Sequence, residues 1–198
     1  MFERVEKVNI EKQNLVKNIR YFLYILSFVI MFVFFFSQLL EKDRFVVSGY
    51  SMSPTLIDGQ KLLYEKTSIL DKDSLPNRYD IIIFEDYNNG IDVKRVYGLP
   101  GETIQIKDNS IFINGNKIED NYNIREDWES GIANKELLLK ENEYFVLGDN
   151  RNRSSDSRHI DLGPIDERMV IGKAFFLAVP GKTAETGVRE WSRVGLIE

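Results

Sequence analysis

Three serines, Ser48, Ser51 and Ser53, stand within six positions of the stretch SGYSMSPTL, residues 48 to 56. The stretch suits an ordinary polar turn, and it equally suits a turn that presents a nucleophile. A serine hydroxyl reacts at neutral pH only when a nearby base takes its proton, so each serine raises the question of a partner. The chain holds one histidine, His159, in the loop NRSSDSRHIDLG among charged and turn-forming residues. A Ser-His-Asp triad on His159 stays open at this level, because triads are defined by geometry, but a solvated loop histidine is the plainer reading. Lysine is the other available base. At an ordinary pKa of about 10.4, only about 0.04% of a lysine is neutral at pH 7. A lysine base must therefore be desolvated, and a shift of about two units corresponds to roughly 2.7 kcal/mol.

Lys94 meets that requirement best. In IDVKRVYGLPG it lies between Val93 and Val96, in a segment patterned as a strand. Successive strand side chains face opposite sides, so Lys94 and Arg95 point apart, and one can be buried while the other meets solvent or a carboxylate. A lysine in a half-exposed strand is ordinarily a solvated one, so the pattern alone does not assign a role. A third block, LGDNRNRSSDSRHIDLGPI (147 to 165), is dense in Asp, Asn, Arg and Ser. It suits a structured turn whose side chains bond the backbone, with Asp149, Arg151, Asp156 and Arg158 spaced for a compact charge network. An exposed loop is the alternative.

The elements that must position these residues read mainly as strands. KLLYEK (61 to 66), DIIIFED (80 to 86), IDVKRVYG (91 to 98), ETIQIKD (102 to 108), EYFVLGD (143 to 149) and MVIGKAFFLAV (169 to 179) are β-branched or aromatic and bounded by turn residues. Asn114-Gly115 in SIFINGNKI is a hairpin signal. No long amphipathic helix is patterned after residue 40. The expectation is a mainly β fold, an antiparallel, barrel-like domain. Residues 119 to 141 break the pattern as a polar excursion with one possible helical turn near ANKELLLK. Residues 183 to 198 read as a loose terminal segment.

Ahead of this domain, residues 21 to 40, YFLYILSFVIMFVFFFSQLL, carry no charge. At about 1.5 Å per residue they form roughly 30 Å of helix, the thickness of a bilayer core. A cleavable leader would have a shorter apolar stretch and small residues at its end, where QLLEKDRF stands, and a core helix would keep a polar face. Arg4, Lys7, Lys12, Lys17 and Arg20 precede the run, whereas Lys42 and Arg44 beside acids follow it. The positive-inside rule then divides the chain into a cytoplasmic segment (1 to 20), a transmembrane anchor (21 to 40) and an extracytoplasmic domain (41 to 198) in the cell membrane. Residues 45 to 198 hold 19 Lys and Arg against 26 Asp and Glu, a net charge of −7, the opposite of what a nucleic-acid partner requires. With no cysteine and one histidine, a disulfide framework, thiolate metal sites and a multi-His centre are excluded, and no cofactor is expected.

Taken together, SGYSMSPTL, DIIIF, VKRVYGLPGE and GDNRNRSSDSR, in this order behind one spanning helix, resemble the type I signal peptidases. These are membrane-anchored Ser/Lys serine peptidases (family S26) that remove signal peptides from exported proteins. The resemblance spans residues 45 to 177. It implies that the serine directly before the methionine, Ser51, is the nucleophile and the lysine directly before the arginine, Lys94, the general base. Arg95, Asp149, Ser154, Asp156 and Arg158 would support the site, and the Ser51 backbone N–H would serve the oxyanion. Gly49 stands where some relatives place a serine hydroxyl that donates to that oxyanion, and it carries no side-chain donor. Val47, Met52, Leu56 and Val93 would line apolar pockets for a signal peptide with small residues at the first and third positions before the cut. Partners implied are secretory preproteins, the lipid bilayer and the translocation machinery. Leu40 and Ser51 are eleven residues apart, at most about 36 Å of extended chain, which keeps the site near the outer membrane surface. Two other readings share features: a catalytically silent relative acting in assembly of surface proteins or pili, and a soluble self-cleaving Ser/Lys repressor-type protease. Retention of both Ser51 and Lys94 speaks against the first, and the anchor and acidic domain against the second.

Overall fold

The computed structural model describes residues 16–34, 43–68, 71–87, 90–122, 127–182 and 187–197. The chain divides into two compact units, Met1–Lys42 and Asp43–Glu198. In the first, one helix, α1, spans Val16–Phe34 and starts before the uncharged run. Its large apolar residues, Phe22, Ile25, Phe28 and Phe32 among them, are all exposed, as expected of a helix whose surface is covered by lipid. The span expected over 21 to 40 is thus helical to Phe34, while residues 35–40 and the segment 1–15 lie outside the described residues.

The described residues of the second unit form twelve strands: β1 Asp43–Val46, β2 Lys61–Lys66, β3 Ile81–Glu85, β4 Ile91–Gly98, β5 Thr103–Lys107, β6 Ser110–Ile113, β7 Asn116–Lys117, β8 Leu137–Leu138, β9 Glu143–Leu147, β10 Ile165–Asp166, β11 Val170–Val179 and β12 Gly195–Leu196. One sheet runs β1-β2-β11-β3-β4-β9-β10, with β12 on β11, and a smaller one runs β7-β6-β5-β8. Every strand pairing is antiparallel. The mainly β, antiparallel expectation is met, although the large sheet is an open path rather than a closed barrel among the described residues, so "barrel-like" holds only loosely.

The six expected strands form with ends moved by at most two residues, because their β-branched and aromatic runs bury against the cores. Asn114 and Gly115 both take positive φ, +50° and +76°, the conformation that a tight two-residue hairpin between β6 and β7 requires. Near ANKELLLK the expected helical turn is a short 3-10 turn, Gly131–Asn134, and Leu137–Leu138 instead pairs as β8 with β5. The end of the chain is tied down where described: Leu196 pairs with Phe176 of β11.

Sheet order explains why β4 can hold charged side chains out of water. It lies between β3 and β9, and from Val93 to Gly98 every residue is buried. Cores pack on both faces: Ile81, Ile83 and Val93 with Val47, Met52, Leu56 and Leu62, and Ile82, Phe84 and Val96 with Tyr144, Val146 and Ile165.

Candidate active site

Residues 48–56 leave β1 and return to β2 through a turn anchored at both ends. Val47 N–H donates to Gln60 O and Gly59 N–H donates to Val47 O, each at 2.9 Å. Inside it, Leu56 N–H donates to Met52 O at 2.8 Å, and the buried Met52 and Leu56 side chains draw the turn onto the core. Burying one such side chain is worth about 2 kcal/mol, which helps to set the turn's position. Gly49 has φ +88°, a conformation favouring glycine, and its N–H donates to Asp58 Oδ1 at 2.9 Å. Among the described residues, by contrast, no group accepts a hydrogen bond from Ser51 N–H.

Lys94 reaches this turn from β4. Its side chain is 1% exposed, and Nζ donates to Ser51 Oγ at 3.1 Å, to Asp92 Oδ2 at 2.5 Å and to Val93 O at 3.2 Å. Asp92 precedes Lys94 by two residues and so shares its face of the strand. Arg95 points the other way and is also buried: Nε and Nη2 form a bidentate pair with Asp149 at 3.0 and 2.8 Å, Nη1 donates to Tyr79 O, and the guanidinium stacks 3.5 Å from the Tyr122 ring centroid. Since Arg95 and Asp149 are both fully buried, losing either would strand a charge at a cost of about 3–5 kcal/mol.

That pair ties β4 to the loop following β9, which in turn grips the Ser51 turn. Asn150 N–H donates to Ser51 O at 2.9 Å and Asn150 Nδ2 to Tyr50 O at 3.0 Å. Gly148 has no room for a side chain, since a Cβ there would overlap Ser154 Oγ and stand 2.5 Å from Ser51 O. Asp156 accepts from Gly148 N–H at 3.0 Å and from Arg158 Nε at 2.7 Å. Arg158 also donates to Arg151 O at 2.7 Å and to Glu129 O at 3.0 Å, joining the loop to the excursion. Arg151 pairs with Asp120 at 2.6 Å and donates to Tyr97 OH at 2.8 Å, and Trp128 packs against both Arg151 and Arg158. Burial pushes the Tyr97 phenol far above its ordinary range, with Arg151 opposing, so it is a neutral donor to Asp120.

The structure thus brings Ser51, Lys94, Asp149, Ser154, Asp156 and Arg158 into one framework. The four-residue charge network expected within the loop is split: Asp156 does pair with Arg158, but Asp149 pairs with Arg95 and Arg151 with Asp120. Among the described residues, Ser154 Oγ is buried without a hydrogen-bond partner. Val47, Met52, Leu56 and Val93 do come together, each 3% exposed or less, as part of the packed core. His159 lies apart from the dyad, on the exposed side of its loop, with Nε2 3.3 Å from Ser154 O. Among the described residues, no cluster of His, Cys, Asp or Glu is arranged to hold a metal ion. Asp92, Asn150, Asp120 and Trp128 escaped the sequence reading. Only Asp92 had a usable signal, its two-residue spacing from Lys94 on one strand face.

The family model for signal peptidase, peptidase S26, matches residues 15–179. A signal peptidase I of Bacillus licheniformis is 39% identical over 146 residues, covering 70% of this chain and 77% of the relative. Signal peptidase I U of Bacillus subtilis (strain 168) is 32% identical over 181 residues, covering 87% and 93%. A solved signal peptidase I from Enterococcus faecalis V583 aligns with a TM-score of 0.43 at 35% identity, over 50% of this chain and 95% of that one.

Proposed function

The chain belongs to the signal peptidase family, peptidase S26, and we propose that within it Ser51 is the nucleophile and Lys94 the general base. Its activity is that of a signal peptidase I, a serine endopeptidase acting on the signal peptides of preproteins. The observation that carries the residue assignment is the 3.1 Å hydrogen bond between Lys94 Nζ and Ser51 Oγ, formed at a buried lysine. His159 bonds elsewhere and offers Ser51 no base.

In the proposed reaction Ser51 Oγ attacks the scissile carbonyl carbon as neutral Lys94 takes the hydroxyl proton. The oxyanion that forms is met by Ser51 N–H, an amide with no acceptor among the described residues. Collapse breaks the C–N bond, the leaving amine receives the proton from Lys94, and the signal peptide remains as an ester on Ser51. Lys94 then deprotonates water, whose attack releases the signal peptide's carboxylate and restores Ser51. Gly49 contributes no side-chain donor, and its own amide is engaged by Asp58.

The finer reading is a chain anchored by residues 21 to 40 with its N-terminus in the cytoplasm and its catalytic domain outside. Small residues at the first and third positions before the cut would meet the edge of the Val47, Met52, Leu56 and Val93 cluster, with the translocation machinery delivering the precursor and no nucleic acid involved. Shallow apolar pockets discriminate by only about 1–3 kcal/mol per methylene, which suits small side chains.

Ser51→Ala and Lys94→Ala should each lower cleavage of an exported precursor by a factor of about 10⁴ or more, measured on the full chain in detergent or vesicles. Normal processing by either variant would sink the dyad.

A further inference from the structure

Lys94 Nζ is surrounded by three acceptors, Ser51 Oγ, Asp92 Oδ2 and Val93 O, one for each hydrogen of an ammonium group. With all three acceptors engaged by N–H groups, Nζ can accept the Ser51 proton only after one of its own has left. Of the three acceptors, Asp92 alone carries a charge, makes the shortest contact, and is 34% exposed. Asp92 is itself fixed: Oδ1 accepts from Val93 N–H at 2.7 Å, leaving Oδ2 aimed at Nζ. From the geometry we propose that Asp92 is a positioning residue for the dyad, whose carboxylate holds Lys94 Nζ on Ser51 as an ammonium in the substrate-free enzyme and so sets the pH at which the dyad becomes active.

Among the described residues, Lys94 is the one cation paired with Asp92. Across the sheet its partner is Phe84 of β3. On its open side lies a small cavity of about 150 Å³, lined with Asp92 by Asp86, Tyr87, Ser155, Asp161 and Leu162, which adds two carboxyl groups and two hydroxyls but no cationic side chain. Arg95 is on the opposite strand face and is paired with Asp149. Proton exchange between Nζ and solvent therefore has a route through the partly exposed carboxylate into that cavity.

The inference rests on Lys94 being the base, and its test separates the two. Full-length Asp92→Asn keeps the shape and a hydrogen-bond acceptor but removes the charge. The acidic limb of its kcat/KM against pH, measured on an exported precursor, should move down by about one pH unit or more, the effect of deleting an opposite charge within about 4–6 Å. Below the wild-type limb that is about a tenfold gain in kcat/KM. Asp92→Glu restores the charge and should return the limb to the wild-type position. Should the Asn variant fail to accumulate, Asp92→Ser reads the same limb. An unmoved limb in the uncharged variants, an equal shift in Asn and Glu, or an inactive but folded Asp92→Asn would each overturn the proposal while leaving the dyad intact. Cleavage by Lys94→Ala would instead overturn the dyad.

Discussion

A methyl group at Gly148 would overlap Ser154 Oγ and crowd the carbonyl of Ser51, so this glycine sets how closely two loops approach at the nucleophile. Gly148→Ala should leave the protein folded but push the Ser51 turn outward. Displacements near 1 Å at a reacting group cost about 10²-fold in rate, so kcat should fall by about that factor, with a melting temperature lowered by less than in an Arg95 or Asp149 variant. Unchanged kcat in a folded Gly148→Ala would show that the turn yields without moving Oγ. Gly49 poses the converse case. Space around it is open, but φ is +88°, so Gly49→Ser would strain the backbone by about 1–2 kcal/mol. The family resemblance singled out Ser51 and Lys94 through the motifs that their neighbours carry. It missed Asn150's two bonds to the Ser51 turn because a loop side chain's partner 100 residues away leaves no local trace.

Among the elements, β4 matters most, since it delivers Asp92 and Lys94 to one face and Arg95 to the other. The alternation that separates Lys94 from Arg95 was legible in the sequence; that both are buried depends on β3 and β9 flanking the strand. A second element-level feature is β10, where Asp166 pairs with Arg168, accepts from Arg168 N–H to cap a short 3-10 turn, and accepts from Asn142 Nδ2. Hydrogen bonding from Arg168 holds the Asp166 carboxyl down at about 2, from an ordinary 3.8, against the opposing effect of burial. A carboxyl held low stabilises the fold fully above its ordinary value, and that contribution fades as pH falls through about 2. Asp166→Asn should therefore melt lower than the parent at pH 6, with the gap closing between about pH 4 and 2. Because Arg168 is largely exposed, the gap should be small and shrink with added salt. A gap that persists at pH 2 would assign the loss to packing rather than charge.

For the whole molecule, the separation into Met1–Lys42 and Asp43–Glu198 predicts that residues 43–198 produced alone remain folded, because all three buried cores lie within them. The truncated chain should melt cooperatively within a few degrees of the full chain, and a non-cooperative melt would show that the first unit is needed for folding. The full chain should sediment with membranes and resist alkaline extraction; recovery in the soluble fraction would refute the anchor. What the sequence determined by itself was local: an uncharged run of bilayer length, strands with β-branched and aromatic residues, the Asn-Gly hairpin, and the four blocks whose order carries the family resemblance. Each depends on neighbours within a few positions. What the tertiary structure alone decided was which charges meet. Asp149 bonds Arg95 rather than its own loop, and Asp120 leaves the polar excursion to pair with Arg151. Charge partners are chosen by burial and distance in three dimensions, where an unpaired group out of water is costly, and nothing in the linear spacing of acids and bases encodes that choice.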